Sequence, residues 1–217
     1  MNHKRIVLAA IGLGLLLCLT IVVFVISNSC SRQLPDNIEE KAAELKAYCK
    51  KRGYSTELGI LVDYSRHSGR PRFYVWDFEQ GKVVIESLCA QGCGKDETVG
   101  KNMFSNEVGS LCSSLGHYKI GRERAMKKLR GRMAFTLVGL DKTNSNAVVR
   151  GILLHAVSLP TFAIYPLGIP SRRISVLGRT IVYPYSEGCV TIPFAHYNEV
   201  ADMIHRSSKP IILWVYN

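Results

Sequence analysis

Two residues of this chain have the types and surroundings for covalent chemistry. Cys189 ends the run Ser186-Glu187-Gly188-Cys189, and His155 ends the apolar run Gly151-Ile152-Leu153-Leu154. A cysteine directly after glycine suits a sharp turn that lifts the sulfur out of a sheet. Gly188 permits a backbone angle closed to other residues and a close substrate approach. Backbone N–H groups at Gly188 and Cys189 would then face a developing oxyanion. A thiol is a useful nucleophile only as thiolate, which calls for an imidazole nearby, and His155 at the end of a strand is the best-placed candidate. Residue types alone leave the bland alternatives open, a buried structural cysteine and a core histidine.

The other chemistry-bearing residues carry weaker signals. His117, on a strand beside Gly116, is a candidate to line a cleft, while His196 and His205 are too far apart on a helix to share a metal-binding face. Cys89 and Cys93 flank Ala-Gln-Gly without the spacing or second ligand pair of a zinc site. No phosphate loop, paired-carboxylate motif or nucleic-acid motif is present, so no cofactor, metal or nucleic-acid partner is expected. If Cys189 is catalytic, five exported cysteines remain, an odd number that cannot all pair internally.

The elements that must position Cys189 and His155 are mostly strands. Leu58–Tyr64 is apolar and β-branched. Arg72–Phe78 and Val83–Cys89 read as a hairpin about the turn Glu79-Gln80-Gly81-Lys82. Further strand candidates are His117–Ile120, Arg132–Leu140, Val148–His155, Arg179–Tyr183 and Ile211–Tyr216, with Arg122–Arg130 a basic helical turn or exposed loop. Leu34–Arg52 reads as a helix with Asp36 as N-cap and Glu39 in capping-box position, its apolar stripe being Ile38, Ala42, Leu45 and Cys49. Ala195–Arg206 reads as a second, amphipathic helix. This pattern predicts a mainly β domain, a sandwich or partly closed barrel with one or two packed helices. The segment Tyr165–Tyr185 reads as a long excursion over the cleft, offering Arg172, Arg173 or Arg179 to an acidic carboxylate.

The N-terminus sets the compartment. Residues 6–26 (IVLAAIGLGLLLCLTIVVFVI) run 21 positions without a charge, enough for a helix to cross a bilayer, and Lys4 and Arg5 precede them. A cleaved signal peptide is the competing reading, but the apolar run is long and Ser27–Ser29 lack an A-x-A site. The expected organisation is a cytoplasmic tail at 1–5, a single transmembrane helix at 6–26, a helical spacer or docking helix at 27–52 and a folded domain at 53–217 outside the cytoplasm. With 47% hydrophobic and 21% charged residues among 217, the chain can bury a core and is not disordered. Its net charge of +11 points to anionic cell-surface polymers or lipid headgroups as attractors.

Several runs, taken in order, resemble the murein L,D-transpeptidase catalytic-domain family (YkuD-like). Phe104-Ser105-Asn106, Ser110 and Ser113-Ser114-Leu115-Gly116-His117-Tyr118 resemble its F-S-N-x-x-x-S-x-x-S-S-L-G-x-Y segment. Leu137-Val138-Gly139-Leu140, Asn146-Ala147 and Arg150-Gly151-Ile152-Leu153-Leu154-His155-Ala156 resemble its L-x-G-L, N-x-A and R-x-I-V-x-H-x-A runs, and Gly178-Arg179 with Ser186–Cys189 and Pro193 its G-R-S-x-G-C-x-x-x-P ending. The resemblance, from about Ala43 onward, implies Cys189 as nucleophile, His155 as general base oriented by the Ala156 carbonyl, and Gly188 in the catalytic turn. Ser186, Glu187, His117, Tyr118 and Arg179 are the expected substrate contacts. It further implies a cell-envelope enzyme acting on peptidoglycan stem peptides, forming 3–3 cross-links or releasing the terminal D-amino acid. The chain departs from the pattern at Glu187 and Gln91, where relatives often have histidine, and at the stretch Thr180–Tyr185. Those departures leave a non-catalytic wall-binding domain as the rival, and a Cys189 disulfide to Cys112 or Cys93 as a third reading. The oligomeric state has no sequence signal.

Overall fold

The computed structural model describes residues 34–66, 70–92, 94, 103–129, 131–157, 173–176, 179–182 and 186–217. The expected anchor at 6–26, Cys93, Arg172 and the side chain of Arg179 lie outside the described residues. No helix among the described residues is long and apolar enough to cross a membrane.

Helix α1 (Ile38–Arg52) forms because its apolar residues recur on one face, and Ile38, Ala42, Leu45 and Cys49 are all buried. They pack on Leu61, Tyr74, Trp76, Ile212 and Tyr216 of the sheet. Fully burying a side chain such as Leu45 contributes roughly 1.5–3 kcal/mol, so this stripe docks the helix despite its many charges. The N-cap is Asn37 with no side-chain bond, so the capping box expected at Asp36 and Glu39 is not formed. Packing, rather than capping, holds this end.

The strands are β1 (Leu58–Asp63), β2 (Phe73–Asp77), β3 (Lys82–Ser87), β4 (Gly116–Ala125), β5 (Met133–Gly139), β6 (Leu153–Val157), β7 (Arg173–Val176), β8 (Arg179–Val182), β9 (Val190–Pro193) and β10 (Ile212–Tyr216). Eight of them form one sheet in the order β3-β2-β1-β10-β4-β5-β6-β9. Pairing is parallel at β1–β10 and β6–β9 and antiparallel elsewhere. The chain leaving β3 meets the far edge at Ala90 and Thr191, whose backbones bond at 2.9 Å. The sheet is therefore a nearly closed barrel. Its interior is filled by alternating residues such as Ile60, Tyr118, Phe135, Leu154, Ile192 and Leu213, with Tyr197, Val200 and Ala201 of helix α3 (Phe194–Arg206) packed among them.

Three local expectations change. β4 runs on to Ala125, so the first four residues of Arg122–Arg130 are strand, while Lys127–Leu129 form a short helical turn. Residues Ala147–Arg150 form a single helical turn, α2, ended by left-handed Gly151, before β6 begins. The excursion before Ser186 contains an antiparallel hairpin, β7–β8, with Arg173 opposite Val182. Residues Asn37–Asn217 make one compact unit.

Candidate active site

Strand alternation sorts the site. On β6, Leu154 and Ala156 face the interior, and on β9 Val190 and Ile192 do the same. Leu153 and His155 therefore point outward, as do Thr191 and the preceding Cys189. The β6–β9 pairing is parallel, with His155 opposite Thr191. Cys189 is thus one strand over and two residues back from His155 on one face, a backbone separation of about 8 Å from ordinary strand spacings. Cys189 itself packs with Ala134 and Leu153, and Met126 and Leu129 lie against them.

The turn before Cys189 is tightly built. Gly188 has φ +106°, and a Cβ there would stand 2.7 Å from the Cys112 carbonyl oxygen and 2.9 Å from Ile152 Cδ1. Only glycine fits. Gly92 abuts it from behind, where a Cβ would come within 2.3 Å of Gly188 N. Ser186 Oγ donates to the Cys189 carbonyl at 2.6 Å, and Ser186 N–H donates to the Gln91 carbonyl at 3.2 Å. Ser113 Oγ accepts from Gly92 N–H at 3.0 Å and donates to the Gly188 carbonyl at 3.5 Å.

Arg150 ties the strap beneath this turn. Its guanidinium donates to the Ser105 carbonyl at 2.7 Å, to Ser114 Oγ and to the Cys112 carbonyl. A second arginine, Arg72, is 3% exposed and donates to the Cys89 carbonyl at 2.7 Å and to Gln91 Oε1 at 3.0 Å, with its guanidinium over the Tyr64 ring. Gln91 therefore links the buried Arg72 to the backbone of Ser186. Among the described residues Arg72 has no carboxylate partner, and Gln91 supplies it a neutral acceptor.

His155 Nδ1 lies 3.0 Å from the Ala156 carbonyl oxygen. A carbonyl can only accept, so Nδ1 carries the proton and Nε2 keeps its lone pair. Cys189 is 6% exposed, more buried than an open nucleophile, and its sulfur lies 3.9 Å from the Gly151 carbonyl oxygen.

Other expected site residues fall elsewhere. Ser186 is buried and serves the turn, while Glu187 is exposed. Tyr118 is 1% exposed in the core with its hydroxyl on the Ser114 carbonyl, so it cannot line a cleft. His117 is stacked between Tyr48 and Trp214, with ring centroids 3.9 and 4.9 Å away, and Nδ1 is 2.8 Å from Asp141 Oδ2. It lies two strands from β6, where α1 covers the outer face of the sheet. The side chain of Arg179 is outside the described residues. Cys49, Cys89, Cys112 and Cys189 are thiols rather than disulfide halves, which removes the Cys189–Cys112 bridge. Among the described residues no three His, Cys, Asp or Glu converge as a metal site. Sequence reasoning missed Gly92, Ser113 and Arg150 as supports, although Arg150 stood within the run ending at His155.

The chain belongs to the L,D-transpeptidase catalytic-domain family, whose profile matches residues 31–216. Its fold is similar to the L,D-transpeptidase of Xylanimonas cellulosilytica at 13% identity and a TM-score of 0.39, covering 78% of this chain and 68% of that one. It is also similar to the helical cell shape determining protein Pgp2 of Campylobacter jejuni at 16% identity and a TM-score of 0.44, covering 85% of this chain and 57% of that one. No curated protein sequence matches it significantly.

Proposed function

We propose that this chain is a membrane-anchored cysteine L,D-transpeptidase that acts on peptidoglycan stem peptides outside the cytoplasm. The observation that carries the reading is the shared face of Cys189 and His155, with His155 Nδ1 held by Ala156 so that Nε2 is the basic nitrogen. Nε2 takes the Cys189 proton, and the thiolate attacks the carbonyl carbon of the third stem residue. Backbone N–H groups at the Gly188–Cys189 turn meet the oxyanion. Collapse breaks the C–N bond, the departing D-amino acid takes the proton from His155, and a thioester remains. A second stem amine then gives its proton to His155, forms a new amide and releases the thiol. Water in place of that amine makes the same site a carboxypeptidase. The uncharged run 6–26 behind Lys4 and Arg5 supports the anchor and the outward orientation.

The test is a mass-spectrometric assay of the full chain with tetrapeptide stems. Expected products are 3–3 cross-links or free D-amino acid, together with a carbapenem adduct on Cys189, all abolished by Cys189→Ala. The burial of Cys189 favours one rival, a wall-binding domain with a silent site. That rival wins if the wild type takes no adduct and releases nothing while binding peptidoglycan as well as Cys189→Ala does. External protease on spheroplasts tests the anchor, and protection of the domain would refute it.

A further inference from the structure

The hairpin that joins β4 to β5 concentrates charge beside the nucleophile. Residues 122–132 include Arg122, Arg124, Lys127, Lys128, Arg130 and Arg132 against one carboxylate, Glu123. Glu123 faces the other side of the sheet, where Tyr197 Oη donates to it at 2.6 Å and His205 Nε2 sits 2.9 Å away. Its charge is therefore engaged on the face opposite Arg124, whereas Arg132 lies over the Phe194 ring on Glu123's own side. Arg122, Arg124, Lys127 and Arg132 are exposed, and among the described residues none of them makes an ion pair.

The hairpin is also fastened to the site. Its turn is closed by Met126 N–H on the Arg132 carbonyl at 3.0 Å and by Leu129 N–H and Gly131 N–H on the Met126 carbonyl at 2.9 and 3.0 Å. Met126 and Leu129 pack on Ala134, Leu153 and Cys189, so the apolar residues of the turn point down at the nucleophile's wall. The register places Arg124 opposite Ala134 and Ala134 opposite His155. Cross-strand partners share a face, so Arg124, Ala134 and His155 form one row. Two strand spacings separate the backbones of Arg124 and His155, about 10 Å.

We propose that this hairpin is the wall of the cleft that reads carboxylates on an acidic peptide stem, with Arg124 and Lys127 as the principal contacts. The proposal deepens the proposed function and rests on it. A ligand lying across Cys189 must pass this rim, because Met126 and Leu129 hold the rim against the nucleophile's own packing. That favours the reacting peptide over a distant polymer or lipid as the source of negative charge. Arginine's planar fork pairs carboxylates bidentately, and exposed cations grouped together raise the local concentration of an anionic chain. Exposed pairs are individually weak and screened over about 8–10 Å, so the effect belongs in KM and in salt dependence.

The experiment uses the full chain and two tetrapeptide donors that differ only in amidation of their side-chain and α-carboxylates remote from the scissile bond. Wild type is expected to favour the acidic donor, with KM rising with salt. Arg124→Gln/Lys127→Gln is expected to raise KM for the acidic donor roughly 3- to 30-fold with kcat and Tm unchanged, and to abolish both the preference and the salt dependence. A retained preference, or equal loss for both donors, overturns the proposal. Binding of the same peptides to Cys189→Ala separates the two readings. If wild type turns over neither donor, the enzyme reading fails, while acidic-peptide binding that the double substitution removes still sustains the carboxylate wall. Should the double variant lose only its binding to phosphatidylglycerol vesicles while its peptide preference stays intact, the hairpin is a membrane-surface element and the proposal is overturned.

Discussion

His155 Nδ1 and the Ala156 carbonyl oxygen, 3.0 Å apart, are neighbours in the chain, so one strand both carries the imidazole and fixes its tautomer. His155→Ala should therefore slow acylation about 10²–10⁴-fold, the usual worth of general-base help, with the fold retained. Single-turnover acylation kinetics beside a thermal melt check this, and unchanged kinetics would remove His155 from the mechanism.

Arg150 reaches three acceptors on the strap that backs Gly188. Arg150→Met should cost on the order of 3 kcal/mol, because charged hydrogen bonds are lost and buried acceptors stay unpaired. Turnover should drop as well, since a shift of about 1 Å at the nucleophile can cost about 10²-fold. Urea unfolding and donor turnover are the two measurements. Lost stability with intact kcat/KM would show that the strap does not position Cys189.

Thr191 is opposite His155 in the register and 2% exposed, and its hydroxyl has no hydrogen-bond partner among the described residues. Burying an unpaired hydroxyl is unfavourable, so Thr191→Val should raise stability by about 1 kcal/mol. A lower denaturation midpoint in the valine variant would mean that the hydroxyl is paired in solution.

Burial holds the His117 imidazole below the usual histidine range, against the opposing pull of Asp141. The folded state therefore binds this proton less readily than the unfolded chain, whose histidines titrate near pH 6.5. Below about pH 6.5 the unfolded chain holds the extra proton, so stability falls as pH falls and levels off beneath the lowered folded value. His117→Phe keeps a ring in the stack and should flatten that slope. Denaturation curves across pH 4.5–7.5 compare the two proteins, and identical slopes would assign the effect to other groups.

Local patterns were legible wherever one face of one element decides the outcome. The stripe Ile38, Ala42, Leu45 and Cys49 is buried as its spacing implies. The β2–β3 hairpin folds about its Gly-containing turn, and Gly188 takes the left-handed angle that its place before Cys189 suggests. Strand β9 was not legible, because its four residues are too short to show a period and it exists only by pairing with β6.

Partners across the sheet were beyond the sequence. His117 resembles a cleft residue in its local run, but whether β4 turns it toward the cleft or toward α1 depends on strand order, and the order puts Trp214 beside it. Gln91 is only a departure from the family pattern until Arg72 and Ser186 converge on it. The row Arg124, Ala134, His155 likewise joins residues from three strands. By itself the sequence determined most of the longer elements and the glycine turn, and it named Cys189 and His155 as candidates, since propensity and alternation act over a few neighbouring residues. Only the tertiary structure decided what faces that pair, because register between strands distant in the chain is set by burial of the whole sheet.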